Sequence, residues 1–168
     1  MDNRKPLAGK VALVTGAGRG IGCAIALAFA DAGASLCCAV CTRAQEQATA
    51  DAIEHRGGRA IAVAVDVADE ASFAACVQRC RSELGGIDLL VANAGVGGTH
   101  ATVDRADATD WQHTIAVNLT GAFLSVRAAV PAMVERGGAT SSSSVRGPGG
   151  VPRAACRPMR RRKRGWRC

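Results

Sequence analysis

Short apolar runs alternate with amphipathic stretches through most of the chain, and glycines mark many of the boundaries between them. Near-continuous runs of Val, Leu, Ile, Ala and Cys predict buried strands, whereas apolar positions at helical spacing predict helices. The predicted strands cover residues 11–14, 35–41, 60–65 and 87–92, and the predicted helices cover 21–32, 44–55, 70–84, 102–119 and 121–135. Gly33 is a suitable C-terminal glycine for the first helix, and Asp69 a suitable N-cap for the third.

Strands that alternate with helices of this length predict βαβ units, and therefore a parallel sheet with right-handed crossovers. The fold class is α/β: a doubly wound, Rossmann-like parallel sheet that is incomplete after the fourth strand and two following helices. Residues 1–138 form the partial dinucleotide-binding domain, and any ligand is expected at the carboxyl ends of the strands.

A glycine-rich turn joins the first predicted strand to the first predicted helix. Glycine permits a tight turn and a close approach to a phosphate, and the helix amino terminus favours an anion. A tight turn without a ligand is the alternative interpretation. The candidate cofactor-binding residues of this turn are Thr15, Gly16, Gly18, Arg19, Gly20, Ile21 and Gly22.

Three further motifs follow the glycine-rich turn in order. They are Asp66-Val67 after the third strand, Asn93-Ala94-Gly95 after the fourth, and Val117-Asn118 in a later helix. With these motifs the chain resembles the short-chain dehydrogenase/reductase family over about residues 8–136. The resemblance implies an NAD(P)-dependent oxidoreductase that moves hydride between nicotinamide and a small-molecule carbonyl or secondary alcohol.

The resemblance also implies a role for each motif. The carboxylate of Asp66 would accept a hydrogen bond from the adenine amino group, with Val67 beside it. The segment of Asn93, Ala94 and Gly95 would lie along the cofactor, and the backbone of Asn118 would hold a water of the proton relay. The alternatives are a helix-start carboxylate, a plain turn after a strand and a surface asparagine.

The second strand bears on the choice between NAD and NADP. The fold's ribose-binding acid is expected about twenty residues after the glycines. That region here is Val40-Cys-Thr-Arg43 and contains no acid. Since Arg43 could pair with a 2′-phosphate and Arg19 could assist, the sequence favours NADP over NAD. A solvated residue at a helix start is the alternative for Arg43.

Charge is distributed unevenly along the chain. Residues 1–138 hold 12 Lys/Arg and 14 Asp/Glu, whereas residues 139–168 hold nine Lys/Arg and no acid. We expect this basic, low-complexity tail to be disordered and to bind no nucleic acid specifically, because it lacks aromatic residues interleaved for base stacking.

The eight cysteines are expected to be reduced and structural. Cys38 and Cys41 have CxxC spacing but belong to an apolar strand, and no metal site is expected. Reduced cysteines suit a cytoplasmic protein. Neither a signal peptide nor a membrane span is expected.

The catalytic end of the family's pattern is missing. Family members have a catalytic Ser followed by a Tyr-x-x-x-Lys pair, and this chain contains no Tyr. We therefore expect a truncated, inactive enzyme, with a nucleotide-binding remnant or interaction protein as the alternative. The resemblance also implies a fifth strand beside the fourth and two more beyond it. Without them we expect the fourth strand to be an open apolar edge and the protein to be aggregation-prone. The family oligomer is doubtful in this chain, because the partner helix is missing.

A reading-frame shift near residues 138–140 would explain the abrupt change in composition. Shifted by one base, the Val145/Arg146 junction permits Ser, the Pro158/Met159 junction permits Tyr, and the Arg162/Lys163 junction permits Lys. These residues would then stand at the family's own spacing.

We expect resequencing of codons 136–142 to reveal a one-base insertion or deletion. The measurement is an accurate read of the source DNA. A clean read in the present frame would rule out the frameshift.

Overall fold

The computed structural model describes residues 5–41, 43–137 and 140–143, with side chains described for 5–41 and 47–137. The rest of the predicted tail, including the three junctions that would encode Ser, Tyr and Lys, lies outside the described residues. The predicted domain boundary at residue 138 likewise falls on an undescribed residue and stays a prediction.

Strands and helices alternate as the pattern predicts. In chain order they are β1 (Val11–Thr15), α1 (Gly20–Asp31), β2 (Ser35–Val40), α2 (Arg43–His55), β3 (Ala60–Ala64), α3 (Glu70–Leu84), β4 (Leu89–Ala92), α4 (Ala108–Ile115), α5 (Gly121–Glu135) and β5 (Thr140–Ser143). Asp69 caps α3 through a bond from the backbone N–H of Ala71, and Gly85 ends that helix in the left-handed region. Local capping chemistry therefore sets the limits of α3.

All described strands are parallel and lie in the order β3-β2-β1-β4-β5. The order reverses at β1: the crossovers that lead from β1 to β2 and β3 lie on one face of the sheet, and those that follow β3 lie on the other. This arrangement confirms the doubly wound, Rossmann-like α/β fold. The carboxyl ends of β1 and β4, where a ligand is expected, are adjacent.

The structure corrects the prediction that β4 is an open edge. Backbone pairing places Thr140–Ser143 beside β4 as β5, with Leu89 opposite Thr140 and Ala92 opposite Ser143. A run of serines has neither the β-branching nor the apolar alternation of a strand, so the pattern did not indicate it. Within the described residues, the strand continues the sheet by backbone hydrogen bonding.

Two hydrophobic clusters cover the two faces of the sheet. One contains Phe73, Leu90 and Met133 and lies under α3 and α5. The other contains Leu36 and Ile53 and lies under α1 and α2. Burial on both faces explains why the strands are almost continuously apolar.

The cysteines take part in this packing. Cys37 and Cys38 are neighbours on β2 but belong to opposite clusters, as strand alternation requires. All six cysteines in the described part of the chain are free thiols. Burial raises the pKa of Cys38 to about 12, which keeps it protonated and structural.

The predicted helices at 102–119 and 121–135 form one continuous run. It begins at Ala108 rather than at residue 102, because Asp107 caps it by accepting from the backbone N–H of Thr109. One widened π turn, Ala116–Thr120, connects α4 to α5. By length and composition Ala108–Glu135 could cross a membrane. Leu124, Ala129 and Met133 of this run are buried in the protein, whereas Leu119, Phe123 and Val134 are exposed.

Asp88 connects β1, β4 and the end of α5 at the amino ends of the strands, opposite the end of the sheet where a ligand is expected. Asp88 is 9% exposed, and its carboxylate accepts from the Val11 backbone N–H at 2.9 Å, from Arg136 at 2.8 Å and from Lys10 at 3.3 Å. Burial raises the pKa of Asp88, but the hydrogen bonds from Arg136, Val11 and Lys10 outweigh burial and leave it below its usual value. Arg136 thus holds the end of α5 against the starts of β1 and β4.

We expect Arg136→Ala to lower the free energy of unfolding by about 1–3 kcal/mol at neutral pH, because it leaves a buried carboxylate with one donor fewer. Arg79→Ala is the matched control, since Arg79 pairs with Glu83 on the surface of α3. An exposed pair of this kind is worth about 0–1 kcal/mol. Urea unfolding of both variants gives the two values.

The effect of Arg136→Ala should also depend on pH. A carboxyl whose folded-state pKa is lowered stabilises the fold above the unfolded-state pKa, and that contribution is lost as pH falls through the folded value. The difference between wild type and variant should therefore shrink below about pH 4. A difference that stays constant into acid would contradict the pairing.

Candidate functional site

The hydroxyl of Thr15 connects the carboxyl ends of β1 and β4. Its Oγ1 accepts from the backbone N–H groups of Asn93 and Ala94, each at 2.9 Å, and lies 3.4 Å from the carbonyl of Val91. The Asn93 amide donates in return to the carbonyl of Thr15 at 3.0 Å. Thr15 is 1% exposed, so these bonds form in the interior. The first and third motifs are therefore parts of one hydrogen-bonded unit.

Two glycines are needed where the turn passes this unit. Gly16 has a φ of +66°, and a Cβ there would lie 3.0 Å from the Cα of Ala94. A Cβ on Gly22 would overlap the carbonyl oxygen of Gly16 and come within 2.5 Å of the Asn93 amide nitrogen. Any side chain at either position would push the turn away from β4.

The amino end of α1 is open beside this turn. Arg19 occupies the N-cap position in an extended conformation, and no described side chain caps the helix. The buried Thr49 hydroxyl on α2 donates to the carbonyl of Ala17 at 2.9 Å and fixes the back of the turn. Uncapped N–H groups and the positive end of the helix dipole make this a favourable place for an anion.

A cavity of about 200 Å³ opens at the carboxyl ends of β1, β2, β3 and β4. It lies where the order of the strands reverses, which is the usual ligand site of open α/β sheets. Predicted residues that line it are Gly16, Gly18, Arg19, Asp66, Val67, Ala94 and Gly95. The other lining residues are Ala39, Val40, Cys41, Val65, Val96, His113 and Val117.

Asp66 presents part of its carboxylate to this cavity. Its Oδ1 accepts from the Ala68 backbone N–H at 2.9 Å, which fixes the side chain in a turn. Within the described residues, Oδ2 accepts no hydrogen bond. That oxygen is available to a donor on a ligand, such as an exocyclic amine.

Asn118 lies in the widened π turn and fixes the loop after β4. Its amide donates to the carbonyl of Val96 at 2.9 Å, and its Oδ1 accepts from the Val96 N–H at 2.8 Å. Two bonds to one peptide position give the loop a fixed distance from the helix. Widened turns of this type are often found at functional sites.

The remaining predicted residues support the cavity without lining it. Thr15, Gly20, Ile21, Gly22 and Asn93 build the turn and the strand contact. Asn118 lines a neighbouring cavity instead. Arg43 is the first residue of α2, and its side chain lies outside the described set. The described residues contain no cluster of three or more ligands suitable for a metal ion.

Sequence reasoning missed several residues that hold this site together. Thr49 fixes the glycine-rich turn from 32 positions away, and Val96 is the partner of Asn118. A polar residue on the apolar face of the second helix could have indicated Thr49. Nothing in the pattern around Val96 distinguishes it, because its role depends on backbone atoms alone.

Comparison with known proteins assigns the arrangement to a family. The sequence model described as short chain dehydrogenase matches residues 10–156. The chain belongs to the short-chain dehydrogenase family. The match covers all four motifs and extends beyond the last described strand.

Relatives of known name share this part of the fold. D-threitol dehydrogenase of Mycolicibacterium smegmatis is 42% identical over 79% of this chain and 50% of its own. Trans-4-hydroxycyclohexanecarboxylate dehydrogenase of Sinomonas cyclohexanicum is 41% identical over 79% of this chain and 53% of its own. The crystal structure of a 3-ketoacyl-ACP reductase from Sinorhizobium meliloti 1021 superimposes with a TM-score of 0.77 at 42% identity, covering 79% of this chain and 52% of that one.

This short-chain dehydrogenase chain spans about half the length of the curated relatives that it matches. The shared part contains the glycine-rich turn, the strand contact and the cavity described above. Family membership therefore rests on the part of the fold that carries the candidate site.

We expect Thr15→Val to lower the free energy of unfolding by about 1–3 kcal/mol, because the N–H groups of Asn93 and Ala94 lose their acceptor. Thr15→Ser is the matched control, since it keeps the hydroxyl and loses only a methyl group. Denaturant unfolding of both variants measures the difference. Equal losses in the two variants would mean that the hydroxyl does not hold the strand ends together.

Proposed function

We propose that this chain is the cofactor-binding part of an NADP-preferring oxidoreductase of the short-chain dehydrogenase family. The observation that carries the proposal is the turn of Gly16 to Gly22, which is held against β4 with no room for a Cβ at either end. Such a turn brings backbone N–H groups close to a diphosphate. The cavity beside it is of a size that suits the adenosine part of a dinucleotide rather than the whole molecule.

The residues of the site fit this cofactor in separate ways. Backbone N–H groups of the turn and of the first turn of α1 would bind the diphosphate. The Oδ2 oxygen of Asp66 would accept from the adenine amino group, with Val67 beneath the ring. The backbone of Ala94 and Gly95 would pass along the cofactor toward its nicotinamide end.

The charges around the cavity support NADP over NAD. Arg19 is the one cation among the described lining residues, and β2 is followed by Cys41 rather than by an acid. A carboxylate there would bind ribose hydroxyls and repel a 2′-phosphate, whereas a guanidinium pairs with the phosphate. Arg43, two residues beyond Cys41, would add a second cation.

The reaction proposed for the whole protein is hydride transfer. Bound nicotinamide would supply or accept the hydride, and the substrate would be a small carbonyl compound or secondary alcohol. The named relatives differ from one another in substrate, so their names support this class and nothing narrower. Asn118 would act by positioning, since its side chain fixes Val96.

With this sequence, the chain would bind the cofactor but catalyse hydride transfer negligibly. It contains no Tyr, so the family's acid/base pair has no proton donor here. A catalytically dead nucleotide-binding remnant is therefore the second candidate. We also propose a cytoplasmic location, with no specific nucleic-acid partner, no membrane association and no family-type oligomer.

We expect NADPH to bind more tightly than NADH in a titration followed by nicotinamide fluorescence. Arg19→Ala should weaken NADPH binding roughly tenfold and change NADH binding little, because one charge-assisted contact to the 2′-phosphate is lost. Arg56→Ala is the control, since Arg56 is an exposed arginine that pairs with Asp31 outside the cavity. Equal loss for both cofactors would contradict the role of Arg19.

A carbonyl-reduction assay separates the two candidates. Binding without measurable turnover supports the remnant, and saturable turnover supports an active enzyme. Failure to bind either cofactor would overturn both.

A further inference from the structure

The start of α5 lies directly against the turn that follows β3. A Cβ built on Gly121 would lie 2.8 Å from Cγ2 of Val67, and 3.2 Å from both its Cβ and its carbonyl oxygen. Carbon atoms in contact prefer a separation of about 3.5–4.0 Å, so alanine at this position would overlap Val67. The φ of Gly121 is −61°, which is ordinary for a helix. Since glycine is less favourable than alanine inside a helix, the close approach to Val67 is the physical reason for it here.

Val67 lies between this helix and the cofactor cavity. It lines the cavity together with Asp66 and with Val117, which belongs to the π turn just before α5. Val67 is 7% exposed and belongs to the cluster under α3 and α5. A side chain that packs on the helix and also lines the cavity transmits any movement of one to the other. The distance between Gly121 and Val67 therefore sets part of the shape of the cavity.

Hydrogen bonds hold both sides of this contact. The buried Ser125 hydroxyl donates to the Gly121 carbonyl at 2.7 Å and fixes the start of α5. Across the contact, the Asp66 backbone N–H donates to the Ser72 hydroxyl oxygen at 3.0 Å and fixes the turn. The Val67 side chain is apolar and has no such bond. Additional volume on Gly121 would therefore be accommodated by moving the Val67 side chain into the cavity.

We propose that Gly121 is a positioning residue for the adenine end of the cofactor. It contacts no ligand itself. By admitting Val67 close to α5, it leaves room for the adenine ring over Val67 and beside the Oδ2 oxygen of Asp66. This inference rests on the proposed function, because it takes adenine to bind at Asp66 and Val67.

Four variants test the contact, and circular dichroism confirms that each is folded. Gly121→Ala adds the methyl group that overlaps Val67. Val67→Ala removes both Cγ atoms and so makes room for that methyl group, and the double variant combines the two changes. Gly58→Ala is the matched control. A Cβ on Gly58 would lie 2.6 Å from Cγ2 of Ile53, so this position is at least as crowded as Gly121, but it does not line the cavity.

The ligands are NADPH, titrated by nicotinamide fluorescence, and adenosine 2′,5′-bisphosphate, titrated by calorimetry. The second ligand contains the adenine end of NADPH without its nicotinamide. We expect Gly121→Ala to weaken the binding of both ligands by the same factor, about fivefold, because overpacking at Val67 narrows the adenine end alone. Gly58→Ala should lower stability in urea unfolding and leave both affinities unchanged, since its overlap lies outside the cavity.

The Val67→Ala background separates a positional effect from a general loss of packing. In that background, Gly121→Ala should weaken the binding of either ligand by less than about twofold, because the overlap is gone. The same loss in both backgrounds, a loss confined to NADPH, or unchanged affinities in folded Gly121→Ala would overturn the proposal. If Gly121→Ala alone does not fold, a gap of more than about twofold between Val67→Ala and the double variant overturns it instead.

The same titrations distinguish this inference from the proposed function. Wild-type protein that binds neither ligand would overturn the proposed function, and the role of Gly121 with it. Wild-type binding that Gly121→Ala leaves unchanged would overturn the role of Gly121 alone.

Discussion

The contact between the ends of β1 and β4 is the constraint on which the rest of the site depends. The buried hydroxyl of Thr15 accepts hydrogen bonds from two backbone N–H groups at the end of the neighbouring strand. The Asn93 side-chain amide donates in return to the Thr15 carbonyl. This pairing leaves so little space that Gly16 and Gly22 cannot carry side chains. The same geometry brings the start of α1 to the mouth of the cavity. The packing of the strand ends and the position of the uncapped amino end of α1 therefore have one cause.

The loops beyond this contact are held by side chains from distant helices. Thr49 on α2 fixes the glycine-rich turn, and Asn118 fixes the loop after β4. At the amino ends of the strands, Arg136 holds the end of α5 in place through Asp88. Each connection joins a backbone or carboxylate group to a polar side chain that is far away in sequence. The sheet thus supplies the position of the site, and the hydrogen bonds of Thr49 and Asn118 supply the shape of its loops.

Most of the architecture follows from the sequence because it depends on local signals. Apolar runs, helical spacing and punctuating glycines are sufficient for the order of elements up to Glu135. The fifth strand could not be predicted in the same way, since Thr140–Ser143 is recruited by backbone pairing with β4 and not by its own side chains. The glycine-rich turn and Asp66 were recognisable from the sequence as motifs. The hydrogen bond between Thr99 and Asp110 was not, because it forms only when α4 is folded against the loop.

The widened turn of Ala116–Thr120 has a consequence for how this fold can diverge. One extra residue in a helical turn changes the rotational phase of everything that follows it. The half that includes Trp111 and Thr114 therefore faces the loop, while Leu124 and Met133 face the core. A substitution at Trp111 or Thr114 therefore acts on the contact with the loop after β4, whereas one at Leu124 or Met133 acts on the core. One helical run thus serves two packing surfaces that are offset around its axis.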